Sequence, residues 1–294
     1  MKIEEHVSLK KKTTMRIGGL ARYYAELHTK EDIEEAVRFA HGKNLPLIVL
    51  GSGSNTIFAD GVIEGLVTRI VADRVILSPS KDEAVGHIAV EAGKILASLI
   101  NELAAENLDL SPLTGIPGTV GGALFGNAGQ GPKGTWIDRF VKSIEFFWQG
   151  KWQILRKEQC EFGYRESLFK KLATPPIIWS VTLSIPARSK EELKAEIEHL
   201  IQKRIDTQPH LKTAGSCFKA VDGIPAWKLI DAAGLRGTKI GDIQIAEKHA
   251  NFLLNIGEAT FEDAKKIVEK VQKSVPEKLE VEMRFIEKNG VSAF

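Results

Sequence analysis

A glycine-rich stretch from Pro112 to Gly131 constrains this chain more than any other feature of its sequence. Glycine is required where the backbone takes a positive φ or where another group approaches it closely. Large apolar residues such as Leu124 and Phe125 are interspersed with these glycines and need burial, so the stretch is not a flexible linker. Pro117 adds rigidity because its ring fixes φ. The stretch predicts either tight turns between strands or a rigid loop whose bare N–H groups hold a phosphate or a flat ring.

A second glycine loop follows a predicted buried strand. The run from Leu45 to Leu50 is continuously apolar, comes after a helix with capping-box spacing at Thr29 and Asp32, and is typical of a strand in a βαβ-like unit. Residues 51–56, Gly-Ser-Gly-Ser-Asn-Thr, follow at once, and a Gly/Ser loop at a strand end is a common site for a nucleotide diphosphate. The loop is not a full dinucleotide fingerprint, since Thr56 stands where the third glycine belongs. It is not a P-loop either, since Gly-Lys-Ser/Thr occurs nowhere in the chain.

Beyond these loops, short strand-like runs alternate with helices whose apolar residues recur every three or four positions. Residues 66–71 predict one strand, and the run Leu279 to Ile286 predicts the last one, with Glu280 and Glu282 on a single face. A long helix ends at residues 207–209, Thr-Gln-Pro, which predicts a domain boundary there. The residues of that helix expected to face the core are Leu193, Ile197, Leu200 and Ile201.

Length and composition narrow the classes of protein. The 294 residues suffice for two or three domains, and a formal net charge of +2 gives no reason to expect a nucleic-acid partner. Two cysteines, Cys160 and Cys217, cannot form a disulfide framework and are too few for a zinc site, so we expect no metal. The first residues lack an apolar signal core, and no apolar run is long enough to cross a bilayer. These features predict a cytoplasmic protein without a membrane partner.

Nine motifs occur in a fixed order over nearly the whole chain, at residues 14–19, 50–55, 115–123, 127–129, 164–167, 214–219, 225–230, 247–252 and 279–285. Each motif is weak alone, but their order is specific. Taken together, they resemble one family closely: the UDP-N-acetylenolpyruvoylglucosamine reductases, flavoenzymes that complete UDP-N-acetylmuramate in peptidoglycan precursor synthesis.

The resemblance implies an α+β fold, in which a two-part FAD-binding unit of the vanillyl-alcohol-oxidase (PCMH) type is joined to a C-terminal α+β substrate-binding domain. On this chain the first FAD-binding part would cover residues 1–65. The second would cover residues 66–207 and be joined by the final strand, residues 279–294, while residues 208–278 would form the substrate domain. The short segment between Arg165 and Ser216 resembles the subtype that lacks an inserted tyrosine-bearing loop. We expect a monomer or a weak oligomer.

The implied reaction is the NADPH-dependent reduction of UDP-N-acetylglucosamine enolpyruvate through non-covalently bound FAD. Hydride reaches the β-carbon of the enolpyruvyl group and negative charge spreads from the α-carbon into the carboxylate, so the site needs cations and a proton donor. Ser216 matches the family's proton donor to the α-carbon. Arg165 matches the arginine that holds the carboxylate, because a guanidinium fork suits a planar enediolate. Glu282 matches the acid that protonates or hydrogen-bonds the same carboxylate.

The resemblance also assigns ligand-binding residues. The FAD-binding candidates are Gly51, Ser52, Gly53, Ser54, Asn55, Thr56, Thr114, Gly115, Ile116, Pro117, Gly118, Gly121, Gly122, Ala123, Asn127, Ala128 and Arg165. The substrate-binding candidates are Lys219, Gln244, His249 and Asn251. One position departs from the family pattern, because Ala220 stands where an asparagine usually contacts substrate, and Asp222 is a neighbour that could replace that contact.

Each candidate also has an ordinary structural interpretation. Ser216 could be a turn serine, Arg165 could form a surface ion pair with Glu166, and His249 could be a hydrogen-bonded structural histidine. Cys217 lacks a His/Asn partner for nucleophilic catalysis and is interpreted as a small buried residue.

Two other functions compete with the reductase. An FAD-dependent oxidase of a small alcohol or sugar would be favoured by a His or Cys placed to link the flavin covalently, and residues 51–60 and 112–131 contain neither. A non-catalytic binder of sugar nucleotides is disfavoured because Arg165, Ser216 and Glu282 are all retained.

Overall fold

The computed structural model describes residues 1–78, 84–131, 134–174 and 176–294, and within these ranges the chain forms seven α-helices and fourteen strands. The helices are α1 (Lys30–Gly42), α2 (Leu96–Ala105), α3 (Val120–Phe125), α4 (Leu168–Lys171), α5 (Lys190–Thr207), α6 (Ala226–Ala232) and α7 (Phe261–Ser274). The strands are β1 (Ile3–Ser8), β2 (Leu20–Leu27), β3 (Leu47–Leu50), β4 (Thr56–Phe58), β5 (Val62–Ile70), β6 (Val75–Ser78), β7 (Val85–Glu91), β8 (Val141–Trp148), β9 (Lys151–Arg156), β10 (Ile177–Pro186), β11 (Lys239–Ile240), β12 (Ile243–Ile245), β13 (Leu253–Asn255) and β14 (Arg284–Ile286).

The first sheet has the order β1-β2-β5-β3, and β5 pairs in parallel with both of its neighbours. Helix α1 lies between β2 and β3 in the chain and begins at the capping box predicted from sequence. There Oγ1 of Thr29 accepts from the backbone N–H of Asp32 at 3.2 Å, and the Asp32 carboxylate accepts from the N–H of Thr29. The strand and helix before the Gly/Ser loop (residues 51–56) are thus confirmed.

Strand β5 is buried on both faces. Leu66 and Ile70 belong to a core shared with the second sheet, whereas Ile63 and Val67 belong to a core shared with the C-terminal third of the chain. The boundary expected at residue 65 therefore falls inside a continuous strand, and the strand starts earlier than the sequence predicted. A Cβ on Gly65 would lie 3.0 Å from the carbonyl oxygen of Pro46, so this glycine permits a close approach and does not end the strand.

The second sheet is antiparallel, with the order β6-β7-β10-β8-β9. Helices α2 and α3 contribute to the core it shares with the first sheet, and four apolar residues on one face of α2 are all buried. The residues of that face are Leu96, Leu99, Ile100 and Leu103. Helix α5 follows this sheet and buries Leu193 and Ile197, but Ile201 is 44% exposed, contrary to the sequence prediction. The apolar stripe of α5 continues past the core to the wall of a cavity that Leu200 and Ile201 line.

The C-terminal third contains the three-stranded sheet β11-β12-β13 and helices α6 and α7. The predicted final strand is shorter than expected, because Val281 makes only an isolated bridge to Phe218 and a regular ladder begins at Arg284. Strand β14 pairs in parallel with β4, which lies within residues 1–65. This pairing differs from the expectation that the last strand joins the part of the chain from residue 66 to 207. None of the helices in the described ranges is long and apolar enough to cross a membrane.

Candidate active site

A cavity of about 1010 Å³ lies where both glycine loops meet the end of α5, the segment around Ser216, and Glu282. This volume is at the upper end of the range for small-molecule sites. The cavity can therefore hold a long ligand, or two ligands that meet end to end.

The Gly/Ser loop forms one wall and touches the glycine stretch (residues 112–131). Oγ of Ser54 donates to the carbonyl oxygen of Pro117 at 3.2 Å. Gly53 has φ +70°, and a Cβ at this position would lie 2.3 Å from the carbonyl oxygen of Lys12, where no side chain fits. Gly118, in the other loop, has φ +125°, a conformation that L side chains rarely adopt. Glycine thus shapes the two loops that line this part of the cavity.

Three observations fit these loops to an anionic dinucleotide such as FAD. Oγ1 of Thr114, within the glycine stretch, is buried and has no hydrogen-bond partner in the described part of the chain. Among the described residues, the Arg204 guanidinium hydrogen-bonds only the neutral Gln208, and the Arg284 guanidinium donates only to the carbonyl oxygen of Val49. Glycine-rich loops, an unpaired hydroxyl and two guanidinium groups that pair with no described carboxylate are a suitable donor set for phosphates and a flat ring.

The three predicted catalytic residues all line the cavity. The backbone N–H of Glu282 donates to the carbonyl oxygen of Cys217 at 2.7 Å, which brings Glu282 beside Ser216. Nε of Arg165 lies 2.8 Å from Oε1 of Glu282, although its N–H is outside hydrogen-bond geometry. Arg165 therefore pairs with Glu282, and the alternative pair with Glu166 is not formed.

Burial raises the pKa of Glu282, and the nearby Arg165 guanidinium opposes this shift only in part. A carboxyl group with a raised pKa keeps its proton to a higher pH than an ordinary glutamic acid, so Glu282 can act as a hydrogen-bond donor. Burial also raises the pKa of Cys217, whose side chain is fully buried. The thiol is thus un-ionised, which agrees with its interpretation as a packing residue.

Sequence reasoning missed most of the positive charge around the cavity. Among the described residues that line it, Glu282 is the single carboxylate. The additional basic residues are Lys170, Lys203, Arg204, His210 and Arg284. Arg284 lies within the family motif at residues 279–285, and Arg204 lies just before the helix end predicted at residues 207–209. Both arginines are thus close to patterns that the sequence shows. Their shared orientation toward one cavity depends on the tertiary structure.

The FAD-binding candidates divide into two groups by position. All of them line the cavity except Thr114 and Asn127. Asn127 is fully buried, and its Nδ2 donates to the carbonyl oxygen of Gly163 at 2.9 Å. This contact joins the glycine stretch to the turn that carries Arg165.

None of the four substrate-binding candidates lines the cavity. Asn251 bonds both backbone groups of Phe218 at 2.9 Å, and His249 packs edge-on against Phe252 with its pKa lowered by burial. Nε2 of Gln244 lies 3.5 Å from the carbonyl oxygen of Gly237. Lys219 is held by two carboxylates. Within the described ranges, no three His, Cys, Asp or Glu side chains come together as a metal site requires.

Comparisons with known proteins agree on one family. Residues 21–149 match the model of an FAD-binding domain, and residues 208–285 match that of the UDP-N-acetylenolpyruvoylglucosamine reductase C-terminal domain. The UDP-N-acetylenolpyruvoylglucosamine reductase of Aquifex aeolicus is 36% identical, over 97% of this chain and 96% of the relative. The enzyme of that name from Chlamydia pneumoniae is 34% identical, over 97% and 92%. The crystal structure of the reductase from Thermus caldophilus superposes with a TM-score of 0.83 at 33% identity, covering 97% of this chain and 99% of that one.

Proposed function

The chain belongs to the UDP-N-acetylenolpyruvoylglucosamine reductases, and from this premise we propose how its own residues carry out the reaction. It is an FAD-dependent oxidoreductase that reduces UDP-N-acetylglucosamine enolpyruvate to UDP-N-acetylmuramate with NADPH. The observation that supports this function most strongly is the meeting of Ser216, Arg165 and Glu282 in one cavity with both glycine loops. The α+β architecture, with an FAD-binding region followed by a C-terminal domain of this family, agrees with it.

The two glycine loops would hold FAD, whose phosphates suit the backbone N–H groups and the excess of cationic side chains. Bound FAD supplies hydride transfer from NADPH to the enolpyruvyl double bond. The remaining cations, Arg204 and Arg284 among them, neutralise the diphosphates that enter the cavity. Burial lowers the pKa of both arginines, yet arginine stays charged at any pH at which a protein is folded.

Arg165 and Glu282 bind the carboxylate of the substrate. Both side chains are mostly buried, at 16% and 17% exposure, so the charge of Arg165 is screened less than a charge on the surface. As negative charge moves from the α-carbon into the carboxylate, Arg165 stabilises it and the acid form of Glu282 donates a hydrogen bond. An arginine aimed at a developing charge stabilises the transition state more than the ground state, which is what raises a rate.

Ser216 donates the proton that completes the reaction at the α-carbon. It follows Gly215, where a Cβ would meet no atom within 4 Å, so the backbone before the hydroxyl leaves room for a ligand. A serine hydroxyl is a weak acid, and it serves here because the developing carbanion is a strong base. The adjacent buried Cys217 cannot take this role.

We also propose a domain boundary within the chain and a cellular location for the protein. The C-terminal family model starts at residue 208, directly after α5, which supports a separate substrate-binding domain from this position. The small-molecule substrates and NADPH support action in the cytoplasm, and the formal net charge of +2 supports action without nucleic acid. We expect a monomer or a weak oligomer, which light scattering on the purified holoprotein measures.

Isotope placement tests the proposed chemistry. In D₂O, the product UDP-N-acetylmuramate should carry a solvent deuteron at the α-carbon, because the proton delivered there comes from the exchangeable hydroxyl of Ser216. Magnetic resonance or mass spectrometry of the product locates the label. A product without solvent deuterium at the α-carbon contradicts the proposal.

A further inference from the structure

Lys219 is a buried cation that the proposed reaction does not use. The residue is 7% exposed, its Nζ donates to Oε1 of Glu166 at 2.6 Å, and it lies 2.5 Å from Oε1 of Glu280. Burial acts to lower the pKa of Lys219, but the hydrogen bonds to these carboxylates outweigh burial and raise it. The ammonium group is therefore charged and already neutralised by the protein. It also lies outside the cavity lining, so it is poorly placed to bind a substrate anion.

Its partner Glu166 belongs to the turn that carries Arg165. In this Arg165 turn (residues 163–166), Gly163 and Glu166 exchange two backbone hydrogen bonds, at 3.0 and 3.2 Å. Arg165 itself has φ +58°, in the left-handed region that is unfavourable for a long side chain. Such a conformation persists only when its surroundings hold it in place. The direction of the guanidinium group therefore depends on what fixes the turn.

Two contacts fix this turn to the Ser216 segment (residues 216–220). The backbone N–H of Ala220 donates to the hydroxyl oxygen of Tyr164 at 3.1 Å, and Lys219 forms its ion pair with Glu166. The Ser216 segment also bonds the chain around Glu282, since the N–H of Lys219 donates to the carbonyl oxygen of Glu280 at 2.9 Å. Lys219 thus touches both the element that carries Arg165 and the element that carries Glu282.

We propose that Lys219 is a positioning residue, which holds Glu166 and thereby fixes the Arg165 turn against the Ser216 segment so that Arg165 and Ser216 reach the same substrate. The proposal rests on the proposed function of those two residues. It also removes Lys219 from the substrate ligands expected from the sequence, because the lysine acts through Arg165.

The test compares Lys219→Met, Glu166→Gln and the double variant, each as the FAD-loaded protein. We expect each single substitution to weaken binding of UDP-N-acetylmuramate, measured by calorimetry, by about 10- to 100-fold, as a small displacement of a positioned group does. The double variant should be no weaker than the worse single variant, because both changes remove the same tie. Flavin reduction by NADPH should be unchanged in all three.

A matched control is the exposed ion pair between Lys171 and Glu161 close to the same turn, at 2.7 Å with side chains 51% and 54% exposed. Lys171→Met and Glu161→Gln should leave product binding unchanged. The Glu166 side chain is 37% exposed, so Glu166→Gln alone carries the test if Lys219→Met does not fold.

Three results separate the competing explanations. If Glu166→Gln leaves binding unchanged or stronger while Lys219→Met weakens it, Lys219 is a substrate ligand and the proposal is overturned. If flavin reduction by NADPH falls in parallel with product binding, Lys219 has only a general structural role, which also overturns it. Failure of the unsubstituted protein to bind the product would instead count against the proposed function.

Discussion

Ser216 is the residue whose role is easiest to separate from cofactor binding. We expect Ser216→Ala to leave flavin reduction by NADPH intact and to slow reoxidation by the enolpyruvyl substrate by about 10²- to 10⁴-fold, as the loss of a general acid does. Stopped-flow absorbance of each half-reaction measures both rates. Cys217→Ala, at the buried neighbour, should slow neither. Equal slowing of both half-reactions by Ser216→Ala would contradict the role of Ser216 as the proton donor.

The role proposed for Glu282 predicts how the rate of flavin reoxidation depends on pH. Because burial raises its pKa, its acid form persists to higher pH than usual and is lost as the pH rises through that raised value. The rate of flavin reoxidation by substrate should therefore fall with rising pH over that range. Glu282→Gln, whose amide donates at every pH, should remove this fall. A pH profile that the substitution leaves unchanged would argue against a hydrogen bond from the acid form.

The sequence predicted these residues through family motifs but not their contacts. Glu166 is adjacent to Arg165 in the chain, yet the turn directs the two side chains to different partners, Glu282 for the arginine and Lys219 for the glutamate. Adjacency in the chain is thus a poor guide to pairing, since successive residues of a tight turn point in different directions. The positions of Arg204 and Arg284 at the cavity likewise follow from tertiary structure.

Among the structural elements, the Gly/Ser loop depends most on the absence of side chains. Gly53→Ala combines a positive φ with a contact of 2.3 Å to the backbone of Lys12, so we expect this variant to lose bound FAD. The absorbance ratio of flavin to protein after gel filtration measures the loss.

Gly150→Ala is the control for that variant. Gly150 has φ +75°, but a Cβ there meets no atom within 4 Å and the residue lies outside the cavity lining. This substitution carries only the strain of the positive φ, about 1–2 kcal/mol, and should keep its flavin. Equal flavin content in the two variants would show that the close approach at Gly53 does not shape the FAD site.

Local sequence patterns predict a helix or strand well where residues close together in the chain mark that helix or strand. The capping box predicted at the start of α1 is present in the structure, because its two residues lie only three positions apart in the chain. Prediction was wrong where contacts with residues distant in the chain determine where an element begins or ends. The alternating sequence pattern predicts that the last strand begins at Leu279. In the structure its regular ladder begins only at Arg284, where the chain pairs with β4. The sequence predicts a boundary at residue 65, whereas Gly65 lies inside β5, close to the carbonyl oxygen of Pro46.

At the scale of the whole molecule, one sheet is shared by two cores, and the cavity lies where the N-terminal glycine loops meet the C-terminal segments. The C-terminal third closes the site through long-range contacts: Nδ2 of Asn55 donates to the carbonyl oxygen of Glu282 at 3.1 Å, and the N–H of Arg284 donates to the carbonyl oxygen of Asn55 at 2.9 Å. Contacts between such distant residues leave no local pattern. The two-part FAD-binding fold was therefore predicted from the resemblance and not from the periodicity of the sequence.

The central claim is that FAD bound in this cavity is reduced by NADPH and then reoxidised by the enolpyruvyl sugar nucleotide. The most direct test is an anaerobic absorbance trace of the purified protein with FAD, to which NADPH and then UDP-N-acetylglucosamine enolpyruvate are added. We predict that NADPH bleaches the flavin band and that the sugar nucleotide restores it, with UDP-N-acetylmuramate as the product. Bleaching without recovery would contradict the assigned acceptor, and the absence of a flavin band even with added FAD would contradict the cofactor site.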